Sequence, residues 1–184
     1  MADELIDIIN DDLSFVKTCL KSKAHKYGWL HASVHIWFYT NNSQVLVQKR
    51  SKTKTVFPNL WDVSVAGHIA SGEKNITAAI REINEEIGLV VTENDLEYIG
   101  IFEESHQHND EFIDNEIHHI YIGKLIVDIN ELKIQQEELS EIKLINIDTF
   151  KSYLNKQDFY KTFVPHFSEY YSFIFDKISQ KIRI

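Results

Sequence analysis

At 184 residues, 43% hydrophobic and 12% aromatic, the chain is long and apolar enough to bury one sizeable core, which excludes disorder as its main state. A formal net charge of -9 argues against nucleic acid as a partner, although small phosphorylated ligands stay open because a cation held by carboxylates reverses the local sign. No window reaches the roughly 18 apolar residues of a membrane helix, the start MADELIDIIN is acidic, and the single cysteine, Cys19, excludes an internal disulfide, so a soluble cytoplasmic protein with no membrane partner is expected.

Two prolines, Pro58 and Pro165, and six glycines leave no linker or low-complexity tract. Residues 1–184 therefore read as a single domain, with 1–27 as an N-terminal extension and 148–184 as C-terminal helices. In residues 4–23 the pattern is undecided: Leu5, Ile6, Ile9, Leu13, Val16 and Leu20 fit a helical stripe, whereas Asn10-Asp11-Asp12 suits a turn between two short strands. ASVHIWFYT (32–40) and QVLVQKR (44–50) are rich in β-branched and aromatic residues, and Asn41-Asn42-Ser43 between them predicts a hairpin. LEYIGIFEE (96–104), EIHHIYIGKLIV (116–127) and EIKLINI (141–147) predict three more strands. Asp148 is placed to cap a short helix reaching Asn155, and residues 162–182 carry apolar side chains at helical spacing with Pro165 in the first turn. Helices before, between and after the strands predict an α/β (α+β) domain on a mixed sheet.

The segment GHIASGEKNITAAIREINEEIGL (67–89) is the most specific stretch. Ile76, Ile80, Ile83 and Ile87 form one apolar stripe and predict a helix over 77–87 that Gly88 ends. At roughly 100° per residue, Glu82, Glu85 and Glu86 fall within an arc of about 100° on the side opposite the stripe. A solvated acidic face is the ordinary explanation. Against it, glutamates near a helix C-terminus oppose the macrodipole, Arg81 offers an i,i+4 partner to Glu85 alone, and Gly67 and Gly72 permit close backbone approach to a ligand. Carboxylates at 82, 85 and 86 with the Gly67 carbonyl form a set of hard oxygen ligands suited to Mg²⁺ or Mn²⁺.

Gly67, five residues, Glu73, seven residues and then REINEEIGL resembles the signature of the Nudix hydrolases at every fixed position. The resemblance implies a loop, helix and loop on an α/β/α sandwich, divalent metal on Glu82, Glu85 and Glu86, and hydrolysis of a diphosphate linkage in a nucleotide or other organic diphosphate. It makes Arg81 an orienting residue rather than only a helix salt bridge. A glutamate not committed to metal can take a proton from the attacking water, and Glu85 is the candidate base. Arg50 and Lys54, with Lys49 and Lys52, form a local basic patch for a diphosphate or, on the ordinary view, for solubility.

WLHASVHIWFY, VLVQKRS, FPNLWDVSVAGH and DNEIHHIYI further resemble the Nudix branch that includes isopentenyl diphosphate isomerase, over residues 28–127. That resemblance implies site roles for His31, His68, Asp114 and Glu116, with Glu116 catalytic and the two histidines near metal or substrate. It also places a cysteine before the Gly-His pair, where this chain has Ala66, and alanine cannot move a proton to or from carbon. His106, His108, His118 and His119 read as loop and strand surface, since no tight metal spacing repeats. The leading expectation is thus a hydrolase of a small-molecule diphosphate; the alternatives are an isopentenyl diphosphate isomerase and a silent diphosphate-binding regulatory domain. The aromatic segment 159–175 serves either the core or a homodimer interface.

Overall fold

A computed structural model of the chain describes residues 3–154 and 156–182. In chain order the strands are β1 (Leu5–Ile9), β2 (Phe15–Leu20), β3 (His31–Tyr39), β4 (Gln44–Arg50), β5 (Trp61–Asp62), β6 (Val65–His68), β7 (Leu96–Asn109), β8 (Phe112–Lys124) and β9 (Leu139–Asn146). The helices are α1 (Lys21–Tyr27), α2 (Asn75–Ile87), α3 (Ile147–Leu154) and α4 (Ser168–Ile182).

Among the described residues the strands make one mixed sheet. Its centre is β3, buried along nearly its whole length because both of its faces are covered. Period-two alternation sends Val34, Ile36 and Phe38 into a core shared with Ala78, Ala79, Ile83 and Ile87 of α2. Trp37 points the other way, with Ile120 and Ile122, into a core closed by Phe150 of α3 and Tyr170, Tyr171, Ile174 and Phe175 of α4. Helices on both faces of the sheet give the expected α/β/α sandwich. Each fully buried aliphatic or aromatic side chain contributes on the order of 1.5–3 kcal/mol, so a few residues such as Ile83 and Ile87 suffice to seat α2 on the sheet.

Several local expectations need correction. Of residues 4–23, left undecided by the pattern, 5–20 fold as strands β1 and β2, paired from Leu5↔Leu20 to Ile9↔Phe15, so the turn at Asn10-Asp11-Asp12 wins over the helical stripe there, and α1 begins at Lys21. The turn between β3 and β4 is present, but these strands pair at Tyr39↔Val45 and then diverge. β3 runs parallel to β8 from His31↔Glu116 to Tyr39↔Lys124, while β4 pairs with β9. Two strands buried on both faces satisfy their backbone groups with separate neighbours. Residues 105–115, expected as loop, are the outer half of the β7–β8 hairpin, paired from Ser105↔Asn115 outward. Asn146, not Asp148, caps α3, its Oδ1 accepting from the Asp148 and Thr149 amides; the expected helix end at Asn155 lies outside the described residues. The last helix starts only at Ser168; residues 162–167 are not helical, and Phe163 bridges to Trp61. Phe159, Phe163, Tyr170, Tyr171 and Phe175 are buried in this chain's own core, leaving Tyr160 and Phe167 exposed.

Candidate active site

A cleft of about 1110 Å³ opens at the edge of β3, β6 and β8, between the side of α2 and the loop before β5. Its wall carries Gly67, His68, Arg81, Glu82, Glu85, Glu86, Glu116, Arg50 and Lys54. Of the residues expected at the site, His31 is the one the wall lacks; it is wholly buried behind Glu116.

The three helix glutamates do not share one solvated face. Glu86 is 4% exposed and its Oε2 accepts the Ala66 amide at 3.3 Å. Glu82 is largely buried, and its carboxylate fills the space where a Gly67 side chain would stand. Glu85 alone reaches the rim, its side chain half exposed. Glu86 lies about 90° from the centre of the isoleucine stripe at roughly 100° per residue, and β6 packs against that flank. Burial followed by Arg81, which opposes it, and by Glu85 leaves the Glu82 carboxyl at about 7; burial and the charge of Glu82 push Glu86 well above the ordinary value.

Arg81 organises the loop. Its guanidinium donates to Glu73 at 2.9 and 3.0 Å, to Glu82 at 2.7 Å, to Glu85 at 3.2 Å and to the His68 carbonyl at 3.1 Å. One cation spread over three carboxylates leaves the Glu82–Glu86 pair short of positive charge, which is the observation that makes a divalent ion fit here. A carboxyl raised by burial contributes stability that is complete below its unfolded pKa and is lost as pH rises through the folded value. We expect the melting temperature of EDTA-treated protein to fall between about pH 5 and pH 8, the window set by Glu82. Saturating Mg²⁺ or Mn²⁺ removes that fall in scanning calorimetry, and a fall of equal size with the metal present contradicts the site.

The expected phosphate-binding cations are less free than the sequence implied. Arg50 donates to Asp62 at 3.2 Å and twice to the Val56 carbonyl, and Lys54 is ion-paired with Glu138. Both still line the cleft, so an anion reaches them by exchanging partners.

The register of β3 on β8 sets His31 beside Glu116 and Ser33 beside His118, all on one face. His25 of α1, His31, His68 and Glu116 form a group of potential metal ligands. His31 donates its Nδ1 proton to the Trp29 carbonyl at 2.8 Å and turns Nε2 toward Glu116 Oε1 at 3.6 Å. His68 Nε2 stands 3.3 Å from the same oxygen. Both Nε2 atoms are buried without a hydrogen-bond partner, as is His25 Nδ1, which approaches Asp114 Oδ1 to 2.7 Å without the alignment of a hydrogen bond. Burial alone would raise the Glu116 carboxyl, but the His68 and His31 rings hold it well below its usual range. Imidazole nitrogens left bare around a carboxylate fit an ion between them.

His118 and His119, expected on the surface, are buried, because β8 is covered on both faces. His25, Glu104, His118, His166 and Asp62 were not anticipated. The signal that could have found His118 is the polar interruption of apolar strands: E-x-H on β8, like H-x-S-x-H on β3, puts one polar face at the end of the strand.

A family model described as the NUDIX domain matches residues 29–167. The chain belongs to the Nudix family. It is 31% identical over 192 residues to Nudix hydrolase 3 of Arabidopsis thaliana, covering 100% of this chain and 24% of that protein, so this Nudix chain spans about a quarter of that relative's length. It is 32% identical to an uncharacterized Nudix hydrolase of Clostridium acetobutylicum (85% of this chain, 77% of that one). It is 28% identical to the isopentenyl-diphosphate Delta-isomerase of Serratia proteamaculans (66% of each). Among solved structures, DR0079 of Deinococcus radiodurans superposes with a TM-score of 0.63 at 20% identity, covering 82% of this Nudix chain and 88% of the other. The hydrolase and isomerase relatives together match the branch that the sequence resembles.

Proposed function

We propose that the chain is a Mg²⁺- or Mn²⁺-dependent hydrolase that cleaves a diphosphate linkage in a nucleotide or other organic diphosphate. The observation that carries this is the buried Glu82–Glu86 pair against Gly67, raised in pKa and undercompensated by Arg81. When bound, the divalent ion supplies charge neutralisation for the diphosphate and a more acidic water. Glu82 and Glu86 would hold it, with the Gly67 carbonyl as a further oxygen donor. Glu85, half exposed at the rim and kept in place by Arg81 at 3.2 Å, is positioned to take the proton of the attacking water. Arg81 itself orients rather than reacts, since its donors are committed to Glu73, Glu82, Glu85 and the His68 carbonyl. Arg50, Lys54 and His68 flank the same cleft and offer positive charge or donors to the phosphates.

The isomerase relatives raise a second reading, supported by the His25, His31, His68 and Glu116 group. Ala66 opposes it: its methyl occupies the position before Gly67-His68, and the only cysteine, Cys19, sits on β2 opposite Ile6 and away from the cleft wall. Carbon protonation needs an acid there that alanine does not provide. NMR of isopentenyl diphosphate incubated with the protein is expected to show no conversion to dimethylallyl diphosphate, and conversion above background would restore the isomerase.

The hydrolase reading is tested by phosphate release from a panel of nucleoside di- and triphosphates, sugar nucleotides and prenyl diphosphates with Mg²⁺ or Mn²⁺. At least one substrate is expected to turn over, and EDTA to stop it. A panel without turnover supports the binding-only alternative.

A further inference from the structure

On the inner wall of the cleft, beyond Glu116, three imidazoles converge on one carboxylate oxygen. Glu104 Oε2 lies 2.5 Å from His166 Nδ1, 3.5 Å from His118 Nε2 and 3.8 Å from His106 Nε2. Glu104, His118 and His166 are all buried, and one ligand atom from each lies within 4.8 Å of the others. A carboxylate oxygen has two lone pairs, so three ring nitrogens exceed what hydrogen bonding to it can use. His106 Nε2 is left buried and without a partner. The far side of each ring is held as well. His166 Nε2 is 3.0 Å from Asp62 Oδ1, His118 Nδ1 is 2.7 Å from Ser33 Oγ and 3.4 Å from Glu116 Oε2, and Glu104 Oε1 accepts the Phe167 amide at 2.8 Å.

We propose that Glu104, His118 and His166 form a binding site for one divalent transition-metal ion of the Zn²⁺ class, distinct from the signature carboxylates and from the His25, His31, His68 and Glu116 group. Two imidazoles and a carboxylate suit Zn²⁺, Co²⁺ or Fe²⁺ rather than Mg²⁺. The 3.5 Å between His118 Nε2 and Glu104 Oε2 is close to the edge of a tetrahedron with bonds of about 2.0–2.1 Å. Carboxylate and hydroxyl partners on the opposite ring nitrogens are the outer shell that fixes tautomer and orientation in metal-binding histidines. Without an ion, a proton closes the site. His166, lowered by burial but raised further by Asp62 and Glu104, reaches about 9 and bridges the two carboxylates, and the ion takes the place of the proton on Nδ1. His118, His166, Glu104 and His106 all line the cleft, so the remaining coordination position opens toward a ligand bound there. Glu116 joins the two histidine groups, with Oε1 toward His31 and His68 and Oε2 toward His118.

The test is Co²⁺ and Zn²⁺ binding by the full chain, first stripped with a chelator. In a His31→Gln/His68→Gln background, which removes the neighbouring group, one equivalent of Co²⁺ is expected to give the visible absorption of a histidine-ligated ion. Adding Glu104→Gln, which keeps shape and most hydrogen bonds, is expected to weaken that binding by at least about a hundredfold. In the wild-type protein labelled with ¹⁵N in its histidine rings, Zn²⁺ is expected to shift the His118 and His166 ring nitrogens, a readout that needs no variant to fold. Undiminished Co²⁺ affinity in the Glu104→Gln protein, or rings of His118 and His166 that stay unshifted when Zn²⁺ is in excess of all three sites, overturns the proposal.

Discussion

Glu86→Gln is expected to lower kcat by at least about a hundredfold and, in the same protein without metal, to raise the melting temperature at neutral pH. Both effects come from one buried carboxyl. Glu86 is 4% exposed, accepts the Ala66 amide at 3.3 Å, and faces the charge of Glu82, so ionising it without a cation is costly. Glutamine keeps the shape and the hydrogen bond but removes the charge that an ion needs. A hundredfold loss corresponds to about 2.7 kcal/mol of barrier. Glu82→Gln is expected to cost as much activity with a smaller gain in stability, because it also gives up the 2.7 Å contact to Arg81. Steady-state kinetics and calorimetry on the two variants check this. Turnover within about twofold of wild type in both would sink the assignment of these carboxylates.

Gly67→Ala tests the same pair from the backbone side. A Cβ at this position would stand 2.1 Å from Glu82 Cδ and 2.2 Å from its Oε1, whereas non-bonded carbon contacts settle at roughly 3.5–4.0 Å. The carboxylate has to leave. Gly67 lies in extended β6 backbone, paired with Val34, so the contact alone is at issue and no left-handed conformation is lost. Activity is expected to fall by about a hundredfold or more, with Mn²⁺ affinity at least about tenfold weaker by calorimetric titration. Gly88→Ala is the control. Gly88 ends α2 at φ 65 with its amide on the Asn84 carbonyl, so alanine there costs on the order of 1 kcal/mol of stability and leaves kcat nearly unchanged. Equal losses of activity in the two variants would mean that α2 as a whole, and not the Gly67–Glu82 contact, governs the site.

The signature helix was legible because its stripe of Ile76, Ile80, Ile83 and Ile87 has a period that only a helix satisfies, and because Gly88 ends it. The depth of each glutamate was not legible. Periodicity gives an angle around α2, but whether the flank at Glu86 meets water depends on β6, which arrives from sequence positions before the helix. The same limit explains the histidines. His31 and Glu116, or Ser33 and His118, are 85 residues apart and become neighbours only through the parallel register of β3 on β8. His166 comes from a non-helical segment that the helical spacing of residues 162–182 concealed, and it is fixed by Asp62 of β5 and Glu104 of β7. Arg50 and Lys54 were visible as charges, but their partners Asp62 and Glu138 were not, so the patch looked more available than it is.

The most direct measurement is turnover of the best panel substrate in oxygen-18 water, followed by phosphorus NMR with Mg²⁺ or Mn²⁺ present and again with EDTA. A hydrolase working from Glu82 and Glu86 places one heavy oxygen on one phosphorus-containing product, with EDTA abolishing the label and Glu86→Gln reducing its rate by at least about a hundredfold. Products without heavy oxygen, or labelling at the same rate in EDTA, would contradict metal-dependent hydrolysis at this site.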